Sequence, residues 1–373
     1  MHTSIESYYP SIAGPFRSAV SLHSHTFHSR EVLNFLPGIV EKVPLVSALV
    51  RQKAASFERE NGAPLDFSRG YWCPPLGPRA VFESERQQAD ARFGLPSFVS
   101  ITDHDSIDAG LGLAALDIWD HAPVSFEWTV PYEDTVFHIG LHNLPGDQAR
   151  AMHHACAEFT KDPSPGRLAD LLAWMAADPA TLIVLNHPLW NAHGNLDQGH
   201  QALALLVERC RPFLHATEVN GYRSWTENKA VVRLARSWEM PVVGGGDRHG
   251  RAPNAFINLT EAGSFAEFAE EIRVGLRSTV VIMPEYHEHA ITRILEATAD
   301  ILRDDDGLEP DQRRWTDRVF VVLDSGAAMP ISTFWTRGGP WWVRASIGTM
   351  RLLGGPATRP ARRLAFSPQE VTL

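Results

Sequence analysis

Seven short apolar segments alternate with helix-like segments over the first two thirds of the chain. They comprise residues 18–22, 97–102, 123–127, 135–140, 181–185, 214–219 and 240–244. Strands that are apolar almost throughout and alternate with helices are typical of a parallel sheet covered on both faces. Polar residues stand at the carboxyl ends of these segments, where barrel enzymes build their active sites. The pattern therefore favours an α/β protein with a closed or nearly closed barrel.

Two of these strand ends carry paired polar residues. His23 and His25 follow the first strand and are separated by one residue, as are Asp247 and His249 after the seventh. Residues two apart on a strand point to the same face, so each pair can converge on one cation. A lone histidine would more often be an ordinary buried or surface residue. The recurrence of such groups is what indicates a shared site.

The complete set of candidate metal ligands combines imidazole and carboxylate groups. It comprises His23, His25, His104, Glu127, His138, His187, Asp247 and His249. This chemistry suits zinc, manganese or iron, and burying so many polar groups without partners would cost roughly 1–3 kcal/mol each. Eight groups are too many for one ion. We therefore expect more than one divalent ion. A carboxylate such as Glu127 can bridge two cations, and two metals roughly 3.5–4 Å apart would hold a hydroxide nucleophile between them.

Composition excludes several other classes of protein. The 373 residues are 44% apolar, enough for one large α/β domain with additions or for two domains. A formal charge of -10 argues against a broad nucleic-acid or anionic-membrane surface. Three scattered cysteines (Cys73, Cys156 and Cys210) form neither a disulfide framework nor a CxxC site. With no signal peptide and no membrane-length apolar run in the sequence, we expect a soluble cytoplasmic protein.

The domain organisation follows from where the alternating pattern is interrupted. We expect the barrel at residues 16–284, an insertion at about 30–95, and an accessory region at 285–373. The insertion is longer than a strand-to-strand crossover requires, which is typical of a segment that caps a site. Within it, residues 33–59 have helical apolar spacing, 70–78 form a proline-rich loop and 81–93 form a helix. No pattern indicates what the accessory region does.

The strand-end motifs resemble those of the PHP (polymerase and histidinol phosphatase) family in order and spacing over about residues 18–283. The motifs are His23-Ser24-His25-Thr26, Ile101-Thr102-Asp103-His104-Asp105, Glu127, His138, Asn186-His187-Pro188 and Gly246-Asp247-Arg248-His249. The resemblance implies a distorted (β/α)7 barrel, a centre of two or three metals and, most often, phosphoester hydrolysis. It also implies three ligand sets: His23, His25, Glu127 and Asp247 for one metal, Glu127, His138 and His187 for the second, and His104 and His249 for the third.

One motif departs from the family pattern. After His-x-His-Thr the family usually has Ser-Asp-Gly or a further histidine, which helps to complete the third site. This chain has Phe27-His28-Ser29-Arg30-Glu31 instead. His28 or Glu31 could complete the third site, or both could be solvated residues at the start of the insertion. Arg30 stands where the acid usually stands and could reach a substrate phosphate.

The sequence thus predicts a metal-dependent phosphoesterase that acts on a small phosphorylated molecule through a metal-bridging hydroxide. His249 or His28 would protonate the leaving group, and Asn220 and Arg223 could line the pocket. Arg248 could bind phosphate or form a structural ion pair. One alternative is hydrolysis of a carboxylic ester, carbamate or amide at the same metals. Another is a metal-bound regulatory module without catalysis.

Overall fold

The computed structural model describes residues 2–33, 44–61, 69–116, 122–190, 196–368 and 370–372. The strands are β1 (His2–Ser7), β2 (Ser18–Ser24), β3 (Glu31–Val32), β4 (Gly70–Trp72), β5 (Ser97–Ile101), β6 (Phe126–Tyr132), β7 (Thr135–His142), β8 (Leu182–Asn186), β9 (Ala216–Asn220), β10 (Val242–Arg248), β11 (Phe256–Thr260), β12 (Arg277–Ile282), β13 (Val319–Val322) and β14 (Ala328–Pro330). The helices are α1 (Pro44–Asn61), α2 (Pro78–Phe93), α3 (Asp108–Ala115), α4 (Ala149–Lys161), α5 (Pro165–Ala176), α6 (Leu196–Cys210), α7 (Trp225–Ser237), α8 (Phe265–Arg273), α9 (Ala290–Ile301), α10 (Trp341–Gly354) and α11 (Arg359–Ala365). Short 3-10 helices lie at Arg211–Phe213, Pro284–His287, Trp315–Asp317, Ile331–Thr333 and Pro356–Thr358.

Ten of these strands form one large mixed sheet, so the α/β class is confirmed. The paired path is β1-β12-β11-β2-β10-β9-β8-β7-β6, and β5 pairs with β2 in parallel. The expectation of an entirely parallel sheet is wrong, because β7 is antiparallel to both β6 and β8 and β11 is antiparallel to β2 and β12. A parallel bridge between His104 and Glu127 also joins the end of β5 to the start of β6.

The third expected strand differs in position. We expected residues 123–127 to end in Glu127, but β6 begins at Phe126 and continues to Tyr132. It then turns through Glu133 and Asp134 into β7, with Tyr132 paired to Thr135. Glu133 adopts a φ of 50°, as a tight two-residue hairpin requires. Glu127 therefore lies at the start of its strand, although it still faces the other strand ends.

Apolar helix faces cover the sheet and hold its strand ends in register. Phe159 of α4, Leu172 of α5 and Leu206 of α6 are all fully buried and belong to one cluster with Trp128 of β6. Phe268 of α8 belongs to another, with strands β2 and β10. A fully buried side chain of this kind stabilises the fold by roughly 1.5–3 kcal/mol. The strand ends that carry the polar residues are thus fixed by the core beneath them.

The insertion and the C-terminal region share a second, four-stranded sheet. Its order is β14-β13-β4-β3, with Val319 of β13 opposite Trp72 of β4, and Glu31 of β3 opposite Trp72 on the other side. Strand β4 lies inside the segment that we expected to be a loop. Part of the helical spacing predicted for 33–59 is realised in α1, whereas residues 34–43 and 62–68 of the insertion lie outside the described residues. The domain boundaries stay a prediction.

The C-terminal region contains helices that the sequence pattern did not indicate. They are α10 and α11. Trp341, Leu352 and Leu364 are all exposed, so part of the apolar surface of these two helices faces solvent. Throughout the described residues, every helix is too short or too polar to cross a membrane.

Candidate metal centre

The Glu127 carboxylate lies at the centre of a ring of imidazoles. The distance from a ring nitrogen to the nearer carboxylate oxygen is 3.0 Å for His23, 3.5 Å for His25, 3.3 Å for His104, 3.4 Å for His138 and 3.2 Å for His187. The first three rings face Oε2 and the last two face Oε1. Glu127 is fully buried. A carboxylate whose two oxygens face different histidines is suited to bridge two cations.

The remaining two predicted ligands join this cluster at one side. Asp247 Oδ1 lies 3.4 Å from His25 Nε2 and 3.7 Å from His23 Nε2. The ring of His249 stacks on that of His25 with centroids 4.3 Å apart, and its Nδ1 donates to the Asp247 carbonyl oxygen at 2.8 Å. All eight predicted metal ligands therefore lie in one cluster. Their role as ligands stays a prediction that this geometry supports.

The backbone at three of these residues is in the left-handed region. φ is 64° at His23, 25° at His187 and 52° at Asp247. At His23 the pairing with β5 also shifts register, so this residue forms a bulge that re-aims its side chain. Non-glycine residues at positive φ each cost of order 1–3 kcal/mol and are concentrated at functional sites. The fold holds these three strand ends in unfavourable conformations, and their side chains converge as a result.

Several polar atoms of the cluster are buried without a hydrogen-bond partner. They include His25 Nε2, His104 Nδ1 and His138 Nδ1. A buried polar atom left unpaired costs about 1–3 kcal/mol, so native proteins rarely keep several together. Four groups of three or four donors in this cluster have ligand atoms within 4.8 Å of one another. Nitrogen and carboxylate donors at such separations fit divalent transition-metal ions, and a bound ion would satisfy the unpaired atoms.

The electrostatics of the cluster favour ionised carboxylates. Burial opposes ionisation, but His23, His104 and His138 hold the pKa of Glu127 well below its usual range. In the same way, burial opposes the charged form of His23, whereas Glu127 and Glu218 raise its pKa well above its usual value. At His104 burial is the largest influence and, despite Glu31 and Glu127, the pKa is lowered to about 4. The Glu127 carboxylate therefore presents full negative charge to a cation at neutral pH.

Glu31 completes the outer side of the cluster. Its Oε2 lies 3.3 Å from His249 Nε2 and 3.5 Å from His104 Nε2, and its Oε1 accepts a hydrogen bond from Ser29 Oγ at 2.6 Å. Of the two residues that the sequence left open for the third site, the structure brings Glu31 into the cluster. His28 is in none of the donor groups among the described residues. Its ring lies against Phe27, with centroids 4.6 Å apart.

Glu218 is a buried carboxylate that the sequence analysis missed. Its Oε1 lies 2.7 Å from His23 Nδ1, and its Oε2 accepts a hydrogen bond of 3.0 Å from the backbone N–H of His187. It is 1% exposed. A carboxylate on the far ring nitrogen fixes the tautomer and orientation of a metal-binding histidine. Its position two residues before Asn220 on β9, on the same face, was the available signal.

The predicted substrate-binding residues fall into two groups. Asn220 and Arg223 lie at the cluster. The Asn220 amide donates to Asp247 Oδ2 at 3.3 Å, and Arg223 Nη2 lies 3.8 Å from the same oxygen, with its guanidinium over the Trp190 ring at 5.6 Å. Arg30 is exposed and lies over the ring of Tyr71, 5.4 Å from its centroid.

Arg248 points away from the cluster. Its guanidinium is buried and forms an ion pair of 3.0 Å with Glu85 of α2. Both oxygens of Glu85 also accept hydrogen bonds from the backbone N–H of Asn254, and one accepts from Ser21. The structural ion pair that the sequence left open is thus the arrangement observed. It ties the end of β10 to β2 and α2, next to Asp247.

Two further carboxylates support the loops around the cluster. Asp103 accepts hydrogen bonds from the backbone N–H and the hydroxyl of Thr26, the latter at 2.7 Å. Burial raises the pKa of Asp103 to about 7 despite these bonds. Asp105 accepts from the backbone N–H of Thr129 at 2.9 Å. Both residues flank His104 and hold the end of β5 against its neighbours.

Three solved structures are distantly similar to this chain. No family model and no curated protein matches the chain. A protein from Bifidobacterium adolescentis described as a metal-dependent phosphoesterase is 16% identical, over 53% of this chain and 91% of that one, with a TM-score of 0.32. An amidohydrolase from Chromobacterium violaceum, with bound sulfate and no metal, is 15% identical over 47% and 83%, with a TM-score of 0.31. PsfC from Pseudomonas syringae is 13% identical over 73% and 93%, with a TM-score of 0.41. TM-scores this low support no conclusion about fold or activity.

Proposed function

We propose that this protein is a metal-dependent hydrolase of the PHP type that cleaves phosphoesters of a small molecule. The observation that carries the proposal is the buried Glu127 carboxylate with five imidazole nitrogens within 3.5 Å of its oxygens. No ordinary structural role requires so many titratable groups in one place, and burying them unpaired would be costly. A cluster of bound cations explains the arrangement.

The strand pairing supports a distorted (β/α)7 barrel. The pairs β2–β10, β10–β9, β9–β8, β8–β7, β7–β6 and β2–β5 form an almost complete cycle. The bridge between His104 and Glu127 is the link between β5 and β6. We propose that these seven strands close into a barrel. In such a barrel the loops at one end carry the reaction.

The three ligand sets are those that the resemblance to the PHP family implies, with Glu31 added to the third because it lies beside His104 and His249. We assign His23, His25, Glu127 and Asp247 to one metal, Glu127, His138 and His187 to a second, and Glu31, His104 and His249 to a third. When bound, zinc, manganese or iron would supply an activated water nucleophile and would neutralise charge on the phosphoryl oxygens. Glu218 holds the ring of His23 in the first set and the backbone of His187 in the second.

The chain itself supplies the groups that bind substrate and move protons. Arg223 and Asn220, beside Asp247, would bind the phosphate, and Arg30 would reach it from the insertion. Burial lowers the pKa of His249, but Glu31 raises it to about 9, so in the metal-free third site His249 carries a proton at neutral pH. It can then give this proton to the leaving oxygen. Burial lowers the pKa of His28, so its ring is neutral at neutral pH and is less suited to this role.

The test begins with elemental analysis of protein purified without chelator. We expect two or three equivalents of zinc, manganese or iron, and hydrolysis of p-nitrophenyl phosphate or bis(p-nitrophenyl) phosphate. Turnover of p-nitrophenyl acetate alone would favour the carbonyl alternative, and metal without any turnover would favour a regulatory module. His154→Ala is the matched control, because His154 is exposed and lies outside the cluster. Protein without bound transition metal would contradict the proposal.

A further inference from the structure

A cavity of about 450 Å³ adjoins the donor cluster on the side of His249. It lies between the loops that follow β9 and β10 and helix α9 of the C-terminal region. The lining residues that the inference uses are Tyr222, His249, Ala252, Pro253, Ile294 and Ala297. A cavity of this size accommodates a small organic molecule or a large part of one.

One wall of the cavity also bounds the cluster. The rings of Tyr222 and His249 meet edge to face, with centroids 5.7 Å apart, and both rings line the cavity. His249 Nε2 lies 3.3 Å from Glu31, on the cluster side. A substrate whose reacting group lies at the cluster can therefore extend past His249 into the cavity. This gives the C-terminal region a part in the site.

The cavity is held open by hydrogen bonds from α9 to both loops. The Arg293 guanidinium donates to the carbonyl oxygens of Gly221 and Arg223, and it stacks on the Tyr286 ring at 4.1 Å. The backbone N–H of Arg251 donates to Asp300 at 3.1 Å. These two sets of hydrogen bonds, near opposite ends of α9, fix the distance between the helix and the loops. The cavity is thus formed before any ligand arrives, which lowers the entropic cost of binding.

The charged residues that line the cavity already have partners. Their pairs are Arg248 with Glu85, His249 with Glu31, Arg303 with Asp300, Arg359 with Glu288 and Glu296, Glu285 with Arg92, and Arg293 with the two carbonyl oxygens. No unpaired charge among these residues faces the space. A charged ligand group would have to break one of these pairs, whereas an apolar group would contact Ala252, Ile294 and Ala297 without such a cost.

We propose that this cavity binds an uncharged, mainly apolar organic group. In the reaction proposed above, on which this part rests, the group is the alcohol portion of the phosphoester. The reacting phosphate then lies at the cluster and the apolar portion lies beyond His249. The substrate class is therefore a phosphoester of a bulky apolar or aromatic alcohol, not of a highly polar one.

Binding is tested first without turnover, with 1-naphthol as the probe in isothermal titration calorimetry. Ala297→Phe on α9 and Ala252→Phe on the facing loop each fill the cavity from a different wall. We expect saturable binding to the unaltered protein, weakened about tenfold or more by either substitution. Ile291→Phe is the control, because Ile291 lies on the same helix, is 44% exposed and does not line the cavity. No saturable binding, or equal binding in all variants, would overturn the assignment.

The substrate portion is tested by comparing 1-naphthyl phosphate with methyl phosphate. We expect Ala297→Phe to raise KM for the naphthyl ester about tenfold and to leave kcat/KM for methyl phosphate within about twofold. Equal effects on both esters would contradict the substrate class. Naphthol binding with no hydrolysis of either ester would instead overturn the proposed function, so the two failures are distinguishable.

Discussion

The inner and outer sides of the donor cluster are built in different ways. The inner side includes His23 and Glu127, which stand on strands of the large sheet, and His187, which directly follows β8; all three are at most 4% exposed. The outer side consists of Glu31, His104 and His249, whose side chains are 9–13% exposed. Deep burial on a sheet gives rigidity, whereas donors near a solvent-exposed edge move more easily. The two sides should therefore differ in how tightly they hold metal.

Two side chains pack very closely against the backbone of β10 beneath the inner side. A Cβ added at Gly245 would lie 1.6 Å from Glu218 Oε1, and one added at Gly246 would lie 1.7 Å from Asn254 Oδ1. Because Gly245 and Gly246 have no side chains, Glu218 and Asn254 can pack directly against the two opposite faces of β10. Glu218 then reaches His23 and the backbone of His187. The inner donors are held by the sheet and by the carboxylate beneath it.

The support of the outer side comes from segments that are far apart in sequence. Glu31 stands on β3, which pairs only with β4 among the described strands, and β4 pairs in turn with β13 of the C-terminal region. Ser29 adds hydrogen bonds to Glu31 and to the backbone N–H of His104. The third site therefore depends on the insertion and the C-terminal region as well as on the sheet.

Replacement of Glu127 by Gln should have the largest effect, because this carboxylate is shared by both proposed inner metals. We expect the metal content to fall by about two equivalents and hydrolysis to be lost. Elemental analysis and circular dichroism of the folded variant are the measurements, with His154→Ala as the control. Full metal content in Glu127→Gln would remove the centre of the proposed site.

Replacement of Glu31 by Gln should affect only the outer side. We expect the loss of one equivalent of metal at most, with the two inner metals retained, because no inner donor except His25 lies near Glu31. Metal stoichiometry during titration of the metal-free protein measures this. Loss of all the metals together would show that the two sides are not separable.

Glu218→Gln should weaken metal binding at the inner side by about 10–100-fold, the usual effect of removing a carboxylate behind a ligating histidine. Gly245→Ala should do the same, since its methyl group would displace Glu218. In a Glu218→Ala background the Gly245→Ala change should add almost nothing. Competition with a chelating dye measures the affinities, and fully additive effects would exclude a shared cause.

Metal binding at the outer side should release protons. Burial lowers the pKa of His249, but Glu31 raises it to about 9. A metal binds only the neutral ring, so the proton must leave when the metal binds. Affinity for the outer metal should fall by about tenfold per pH unit as the pH falls below 9. Calorimetry in buffers of different ionisation enthalpy measures the protons released. An affinity for the outer metal that stays constant between about pH 7 and about pH 9 would exclude His249 as a ligand.

The smallest effect should come from loosening the second sheet. Phe320 of β13 stacks on Tyr71 of β4 with centroids 4.9 Å apart. We expect Phe320→Ala to weaken the outer metal by only a few-fold, through β4 and β3, and to leave the inner metals unchanged. The same chelator competition measures both. An equal loss of metal affinity at the inner side would contradict the view that different parts of the fold hold the two sides in place.

The sequence predicted the inner side better than the outer side for a physical reason. His23, His187 and Asp247 lie at or just beyond the ends of short apolar runs, and local periodicity reveals such runs and their ends. Glu31 could not be assigned, because its position depends on pairing between β4 and β13, which are distant in the chain. The reversal of β7 was missed for a similar reason: an apolar run does not reveal its direction. Glu218 was hidden because it lies within a strand and not at its end.

The most direct test is a crystal of the protein grown with manganese, with anomalous diffraction measured at the metal absorption edge. We expect two peaks at bonding distance from the two oxygens of Glu127, and a weaker third peak between Glu31, His104 and His249. A map with no anomalous peak beside Glu127, in crystals that contain folded protein and excess manganese, would contradict a shared metal centre at these strand ends.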